Sequence, residues 1–188
     1  MRRALGVILI AVLAAGAVGL YAVKTEPAWY VRMRYPLKYE TIVRAHADNY
    51  GLQPSLLAAV IYSESKFDPE ARSQAGAIGL MQLLPETAQG IADHTGGGRF
   101  TVADLYDPEI NIRYGAWYLS RMQRKYRDHP QALDLALAAY NAGQGNVDAW
   151  VAATPAGAVV RIPFRETRDY IARVRHLQAL YRRAYGLR

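Results

Sequence analysis

Residues 4–23 carry no charge and consist mainly of Ala, Leu, Val, Ile and Gly, directly behind the basic start Met1-Arg2-Arg3. About 20 apolar residues at about 1.5 Å each span about 30 Å, the hydrocarbon core of one bilayer. The stretch therefore reads as one membrane-crossing helix, set apart from whatever the remaining chain folds into. Two fates compete for it, a cleaved signal peptide and an uncleaved signal anchor. Ala15-Gly16-Ala17 offers small residues for cleavage, but the apolar run continues through Leu20 to Val23 and favours the anchor. The chain has no cysteine, so a lipoprotein anchor, disulfides and thiolate metal sites are all excluded.

Behind the apolar run, residues 24–36 are short, aromatic and basic, and read as a juxtamembrane linker close to the lipid surface. Residues 37–188 then suffice for one domain with a proper core. The formal net charge of the chain is +7. Arg168, Arg173, Arg175, Arg182 and Arg183 cluster towards the C-terminus without a zinc-finger or RNA-binding motif, so no nucleic-acid partner is expected. A basic exterior equally suits an anionic membrane or an anionic wall polymer. His46, His94, His129 and His176 are scattered, with no His-x-x-x-His pair. No metal and no cofactor are expected.

Residues 57–67 read as a helix in which Leu57, Val60, Ile61, Glu64 and Phe67 share one face. Glu64 thus sits inside an apolar stripe. Loss of hydration disfavours its ionised form and raises its pKa. Enzymes that deliver a proton at neutral pH place a carboxylic acid in such surroundings. On its own the position is weak support, because a Glu on an apolar face is commonly an ion-paired core residue.

Punctuation by proline and glycine divides the rest into helices at 39–50, 54 to before Pro69, 85–94, 108–127, 131–141 and from Arg165 onward. Asp107 precedes Pro108 as an N-cap, Gly143 stops the 131–141 helix, and Gly96-Gly97-Gly98 is a flexible break. Ile112, Leu119 and Met122 read as core, and Asn111 as structural. Tyr170, Ile171, Val174, Leu177, Tyr181 and Tyr185 form a stripe that should pack back on the first helices. Residues 73–84 form a loop with Gly76 and Gly79, too apolar for free solvation, with room for a short strand.

Four ordered stretches resemble the signature of soluble-lytic-transglycosylase-type (SLT) domains, which are lysozyme-like. They are Glu64-Ser65-Lys66-Phe67-Asp68-Pro69 with Ser73 to Ala88; Asp107-Pro108-Glu109-Ile110-Asn111 through Tyr118-Leu119; Ala138-Ala139-Tyr140-Asn141-Ala142-Gly143 through Val147; and Ile162-Pro163-Phe164-Arg165-Glu166-Thr167 to Tyr170. Leu84 departs from the Met that many members carry before the motif's proline. The resemblance implies a mainly α, lysozyme-like domain with at most a small β element, behind the N-terminal span. It implies cleavage of the MurNAc–GlcNAc β-1,4 bond of peptidoglycan glycan strands, closing a 1,6-anhydro ring. Glu64 would serve first as acid, then as base.

Ser73 and Gln82 match residues that hold acid and substrate. Asn141 matches a residue at the sugar N-acetyl group. Tyr140 either bonds the Glu64 carboxyl or stacks on a sugar, and Glu166 and Tyr170 fall at the subsites nearest the acid. Glycosidases ordinarily use two carboxylates. Asp68, Glu70 and Glu86 are the nearby candidates for a second, and none is an obvious partner. A hydrolytic muramidase of the same fold and a non-catalytic wall-binding module remain the alternatives. A count of Lys and Arg on either side of the span points the domain inward. The export-like start and the location of peptidoglycan point it outward, and an extracytoplasmic monomer is the expectation.

Overall fold

Pro54 occupies the first turn of the helix Pro54–Ser65, where its missing N–H costs nothing, and the run Leu56 to Ile61 behind it is almost completely buried. A helix apolar on all sides belongs in the middle of a protein. In the computed structural model, which describes residues 2–155 and 158–188 (side chains from residue 8), the other elements gather around this helix. In chain order the α-helices are α1 (Arg2–Thr25), α2 (Ala28–Arg34), α3 (Glu40–Tyr50), α4 (Pro54–Ser65), α5 (Pro85–Thr95), α6 (Pro108–Tyr126), α7 (Ala132–Ala142), α8 (Gln144–Ala152) and α9 (Arg165–Tyr185). A 3₁₀ turn spans Val102–Tyr106. Two isolated antiparallel bridges, Arg72 with Ile78 and Ile78 with Leu83, are the β structure among the described residues. This is the mainly α domain the sequence indicates.

The long α9 lies across α4, burying Tyr170, Ile171, Val174, Leu177 and Tyr181 as its periodicity requires. The buried apolar residues form two clusters. The larger one joins α3, α4, α6, α7 and α9; the smaller one holds Ile78, Leu83, Ala88, Ile91, Leu105 and Tyr114. The 73–84 loop contributes Leu80 and Met81 to the first and Ile78 and Leu83 to the second, so it stitches two lobes together. Asp107 caps α6 by accepting from the Ile110 N–H at 3.0 Å. Ile112, Leu119 and Met122 are fully buried, as read from the sequence.

Two boundaries differ from the sequence reading. The helix expected over 57–67 ends at Ser65, and Lys66 and Phe67 both take left-handed backbone (φ 56° and 62°). This turn swings the Phe67 ring into the core, edge-on to Tyr62 and Tyr181 at 6.4 Å each, which offsets the backbone strain. Residues 24–36 are likewise not a loose tether. They contain α2, whose Val31 is fully buried and which packs on α9. Helix α1 is long and apolar enough to cross a membrane and stands almost wholly exposed. The side chains of Arg2 and Arg3, on which the export reading leaned, lie outside the described residues.

Candidate active site

Glu64 emerges from the last turn of α4 into the seam between the two lobes. There it lines a cleft of about 460 Å³ with Ser73, Gln82, Leu84, Tyr118, Tyr140, Asn141 and Glu166. The helix supplies its backbone with hydrogen bonds, while the side chain is left half-buried with little water around it. Burial raises its pKa to about 7, against the smaller opposing pulls of the Tyr170 phenol and the Arg173 guanidinium. The Tyr170 hydroxyl faces this carboxyl yet completes no hydrogen bond of normal geometry. Burial first, and then the Glu64 charge, push the Tyr170 and Tyr140 phenols well above their ordinary pKa, so both stay protonated donors.

The loop opposite is fastened in detail. Asn111 on α6 is fully buried and satisfies three backbone groups: its Oδ1 accepts from Met81 N at 2.8 Å, and its Nδ2 donates to Ile78 O (3.0 Å) and Leu105 O (2.8 Å). Gly79 sits against this amide with φ 79°, where a Cβ would collide with Asn111 and Leu105 O. A Cβ at Gly115 would strike the Met81 side chain. Ser65 Oγ ties the end of α4 to the loop by donating to Leu80 O at 2.8 Å. Gln82 adopts φ 49°, held by Nε2 donating to Ala71 O (3.0 Å) and Gly79 O (2.9 Å). Left-handed backbone at a non-glycine residue is a strain that tends to mark functional sites.

Of the residues expected at the site, Glu64, Ser73, Gln82, Tyr140, Asn141 and Glu166 line the cleft, although several make contacts other than those expected. Ser73 lines the cleft, and its Oγ accepts from Ala77 N at 3.0 Å, which shapes the loop rather than touching the acid. The Tyr140 hydroxyl donates to Met81 O at 2.8 Å, not to Glu64. Its ring lies 5.6 Å from that of Tyr118. Asn141 Oδ1 accepts from Thr167 Oγ1 at 2.8 Å, which turns its Nδ2 into the donor left for a ligand carbonyl. Tyr170 lies behind Glu64, buried, with its hydroxyl facing the carboxyl instead of lining the cleft.

Glu166 is exposed on the first turn of α9 and lines the cleft, making it the second carboxylate there. The sequence offers Asp68, Glu70 and Glu86 for that place. Asp68 instead accepts from Glu70 N at 3.0 Å, and Glu70 and Glu86 are exposed outside the cleft. Tyr118 and Thr87 are lining residues that the sequence reading did not assign to the site. Tyr118 was recoverable: it continues the α6 face that runs Asn111, Gly115, Tyr118, Met122 at spacings of four, three and four. Among the described residues, no group of three or more His, Cys, Asp or Glu could hold a metal ion.

The raised carboxyl gives a pH signature. Because the Glu64 pKa is higher folded (about 7) than unfolded (4.5), the folded state binds the proton more tightly. Its contribution to stability is therefore fully present below pH 4.5 and lost as pH rises to about 7. Urea midpoints at pH 5 and pH 8 should show a wild-type loss that Glu64→Gln lacks, at most about 3 kcal/mol. A variant that loses stability in parallel with wild type over this range would place the carboxyl in water.

A helical, lysozyme-like domain with one desolvated acid at the foot of a lobed cleft is the class that fold and site define. Residues 41–159 match the Transglycosylase SLT domain. The chain belongs to that family. It is 34% identical over 169 residues to the soluble lytic murein transglycosylase of Salmonella typhimurium, covering 84% of this chain and 25% of that protein. Over 116 residues it is 40% identical to the membrane-bound lytic murein transglycosylase C of Haemophilus influenzae, covering 58% and 32% of the two chains. Among solved structures it resembles an inactive Glu-to-Gln mutant of the lytic transglycosylase Slt from Pseudomonas aeruginosa, with TM-score 0.74 and 31% identity over 89% of this chain and 28% of that one. The 70-kDa soluble lytic transglycosylase of Escherichia coli superposes with TM-score 0.75 and 31% identity over 84% and 26%. The chain thus spans about a quarter to a third of the length of these relatives.

Proposed function

We propose that this chain is a membrane-anchored lytic transglycosylase that cuts the MurNAc–GlcNAc β-1,4 bond of peptidoglycan. The observation that carries the reading is Glu64, whose pKa near 7 leaves a large protonated fraction at neutral pH and a usable base after the proton has gone. As acid, it gives its proton to the glycosidic oxygen as the C1–O bond breaks. Asn141, which lines the cleft and has its Oδ1 taken by Thr167, orients the sugar's N-acetyl group through Nδ2 in this reading, and that group supports the cationic centre. The Glu64 carboxylate then takes the proton from the C6 hydroxyl of MurNAc, whose oxygen closes the 1,6-anhydro ring. No water is consumed. Mass spectrometry of muropeptides released from purified sacculi tests this: 1,6-anhydro ends are expected, and reducing ends alone would reject it. Above pH 7 the rate should fall about tenfold per unit as the acid ionises.

Hydrolysis by the same fold has one observation in its favour, the presence of Glu166 in the cleft. Glu166 is exposed at the rim, and the influences on the Glu64 carboxyl are burial, Tyr170 and Arg173 rather than another carboxylate. A subsite role therefore suits Glu166 better. Glu166→Gln should weaken substrate binding by no more than about tenfold while the products stay 1,6-anhydro. A loss as deep as that of the Glu64 variant would make it the second catalytic carboxylate and favour a hydrolase.

The anchor reading rests on α1, which is long and apolar enough to cross a bilayer and has little of its surface covered by the domain. Peptidoglycan as substrate puts residues 37–188 outside the cytoplasmic membrane. A reporter active only in the cytoplasm, fused after Arg188, should be silent; activity there would reverse the topology.

A further inference from the structure

The helix that joins α1 to the domain has two apolar faces, and only one of them is covered by protein. Val31 is fully buried where α2 packs on α9. At about 100° per residue, Trp29 and Met33 point the opposite way. They are 53% and 68% exposed. Such a pair on a seven-residue helix leaves apolar area in water that the protein itself does not cover. Directly before it runs α1, with Ile8, Leu13, Leu20 and Val23 also largely exposed, as suits a helix whose solvent is lipid. The chain turns at Glu26 (φ 44°), so α2 begins directly where the apolar α1 ends. Tryptophan favours that level, with its apolar ring among the upper acyl chains and its N–H among headgroups. Lys24, Arg34 and Lys38 are exposed around it, suited to lipid phosphates.

The same segment is clamped to the catalytic domain. Arg32 donates from Nε and Nη2 to Ala184 O at 3.0 and 2.8 Å. Arg183 donates to Glu26 O at 3.0 Å, and His176 Nε2 lies 3.1 Å from Glu26 Oε1. Tyr185 accepts from Leu37 N at 3.1 Å and donates to Tyr35 O at 3.0 Å. Ala22, near the end of α1, is itself buried. All these contacts converge on the C-terminal half of α9, the helix whose N-terminal half brings Glu166, Tyr170 and Arg173 to the site.

We infer that the Trp29–Met33 face of α2 docks on the lipid surface beside the α1 span, and that the α2–α9 clamp thereby holds the catalytic cleft at a fixed height and tilt above the membrane. The proposal rests on the anchored reading of α1. Its consequence is a reach limited to the glycan strands nearest the membrane, in contrast to a domain swinging on a tether.

The test uses the full chain, whose lack of cysteine allows single labelling sites. Met33→Cys and, as an aqueous reference, Asn146→Cys carry a nitroxide in vesicles of phosphatidylethanolamine and phosphatidylglycerol. Flotation after a carbonate wash comes first. Loss of the protein from the vesicles removes the anchor and the docking together. With the protein retained, the label at 33 should be relaxed more by oxygen than by a water-soluble nickel chelate, and the label at 146 the reverse. Equal nickel access at both sites overturns the docking alone. Spin–spin broadening at 33 that grows with the protein-to-lipid ratio assigns the face to a second copy instead. Energy transfer from a donor placed through Asn146→Cys to acceptor lipids should give one narrow distance, and a broad distribution overturns the fixed height.

Discussion

Glu64→Gln should release 1,6-anhydro muropeptides from sacculi at least about 100-fold more slowly than wild type, and as much as about 10,000-fold. Glutamine keeps the size of the side chain and its hydrogen bonds but can neither give nor take the proton. Both proposed steps use the one carboxyl, so both are lost together. The fold should persist, because removing a desolvated acid relieves a burial cost and opens no cavity. Binding to sacculi should also persist, since Gln82, Tyr140 and Asn141 are held by contacts that do not involve Glu64. Circular dichroism, sacculus pull-down and muropeptide analysis read the three quantities separately. A folded, binding variant that still makes anhydro product near the wild-type rate would move the acid elsewhere in the cleft.

Asn111→Leu should be strongly destabilising without removing any group that the reaction itself uses. Leucine keeps the branched outline of asparagine but is larger, and it leaves Met81 N and Leu105 O unpaired in a place water does not reach, while Ile78 O keeps only its bond from Leu83 N. A buried backbone group left unpaired costs about 1–3 kcal/mol, so two of them should remove ~2 kcal/mol or more. For a chain of this size that is a fall in Tm of about 4–8 °C. Asn111→Asp keeps the acceptor for Met81 N but sets a buried carboxylate oxygen against Ile78 O and Leu105 O, and should be about as damaging. Activity should decline along with stability, because Met81 also carries the carbonyl that receives the Tyr140 hydroxyl. Thermal unfolding within about 2 °C of wild type for Asn111→Leu would mean that the loop is held by its apolar residues alone.

These two residues show different kinds of legibility. Glu64 stood out because helical periodicity is a local property: a charged residue inside the Leu57, Val60, Ile61, Phe67 stripe is anomalous before any neighbour is known. Asn111 could be read as structural but not what it holds, since its partners come from 6 to 33 residues away. Tyr140 was ambiguous for the same reason. A tyrosine near a helix end could reach the Glu64 carboxyl or stack on a sugar, and the packing of α7 beside the loop gives its hydrogen to Met81 O instead.

Proline, glycine and apolar spacing placed α3 to α7 and α9 to within a few residues, because each of those signals acts through the backbone's own geometry. The same signals could not say that the helix after Leu57 stops at Ser65. Lys66 and Phe67 adopt left-handed backbone only because Tyr62 and Tyr181 wait to receive the ring. Nor could they show residues 24–36 clamped to α9 across about 150 positions, or Glu166 brought to the same cleft as Glu64. Periodicity, end signals and the four motifs, all carried by the sequence itself, determined the helices, the apolar N-terminal run and the family, and they singled out Glu64. Tertiary structure alone decided which distant groups share desolvated space, because hydration, and with it the Glu64 pKa and every buried hydrogen bond, depends on what the rest of the chain excludes.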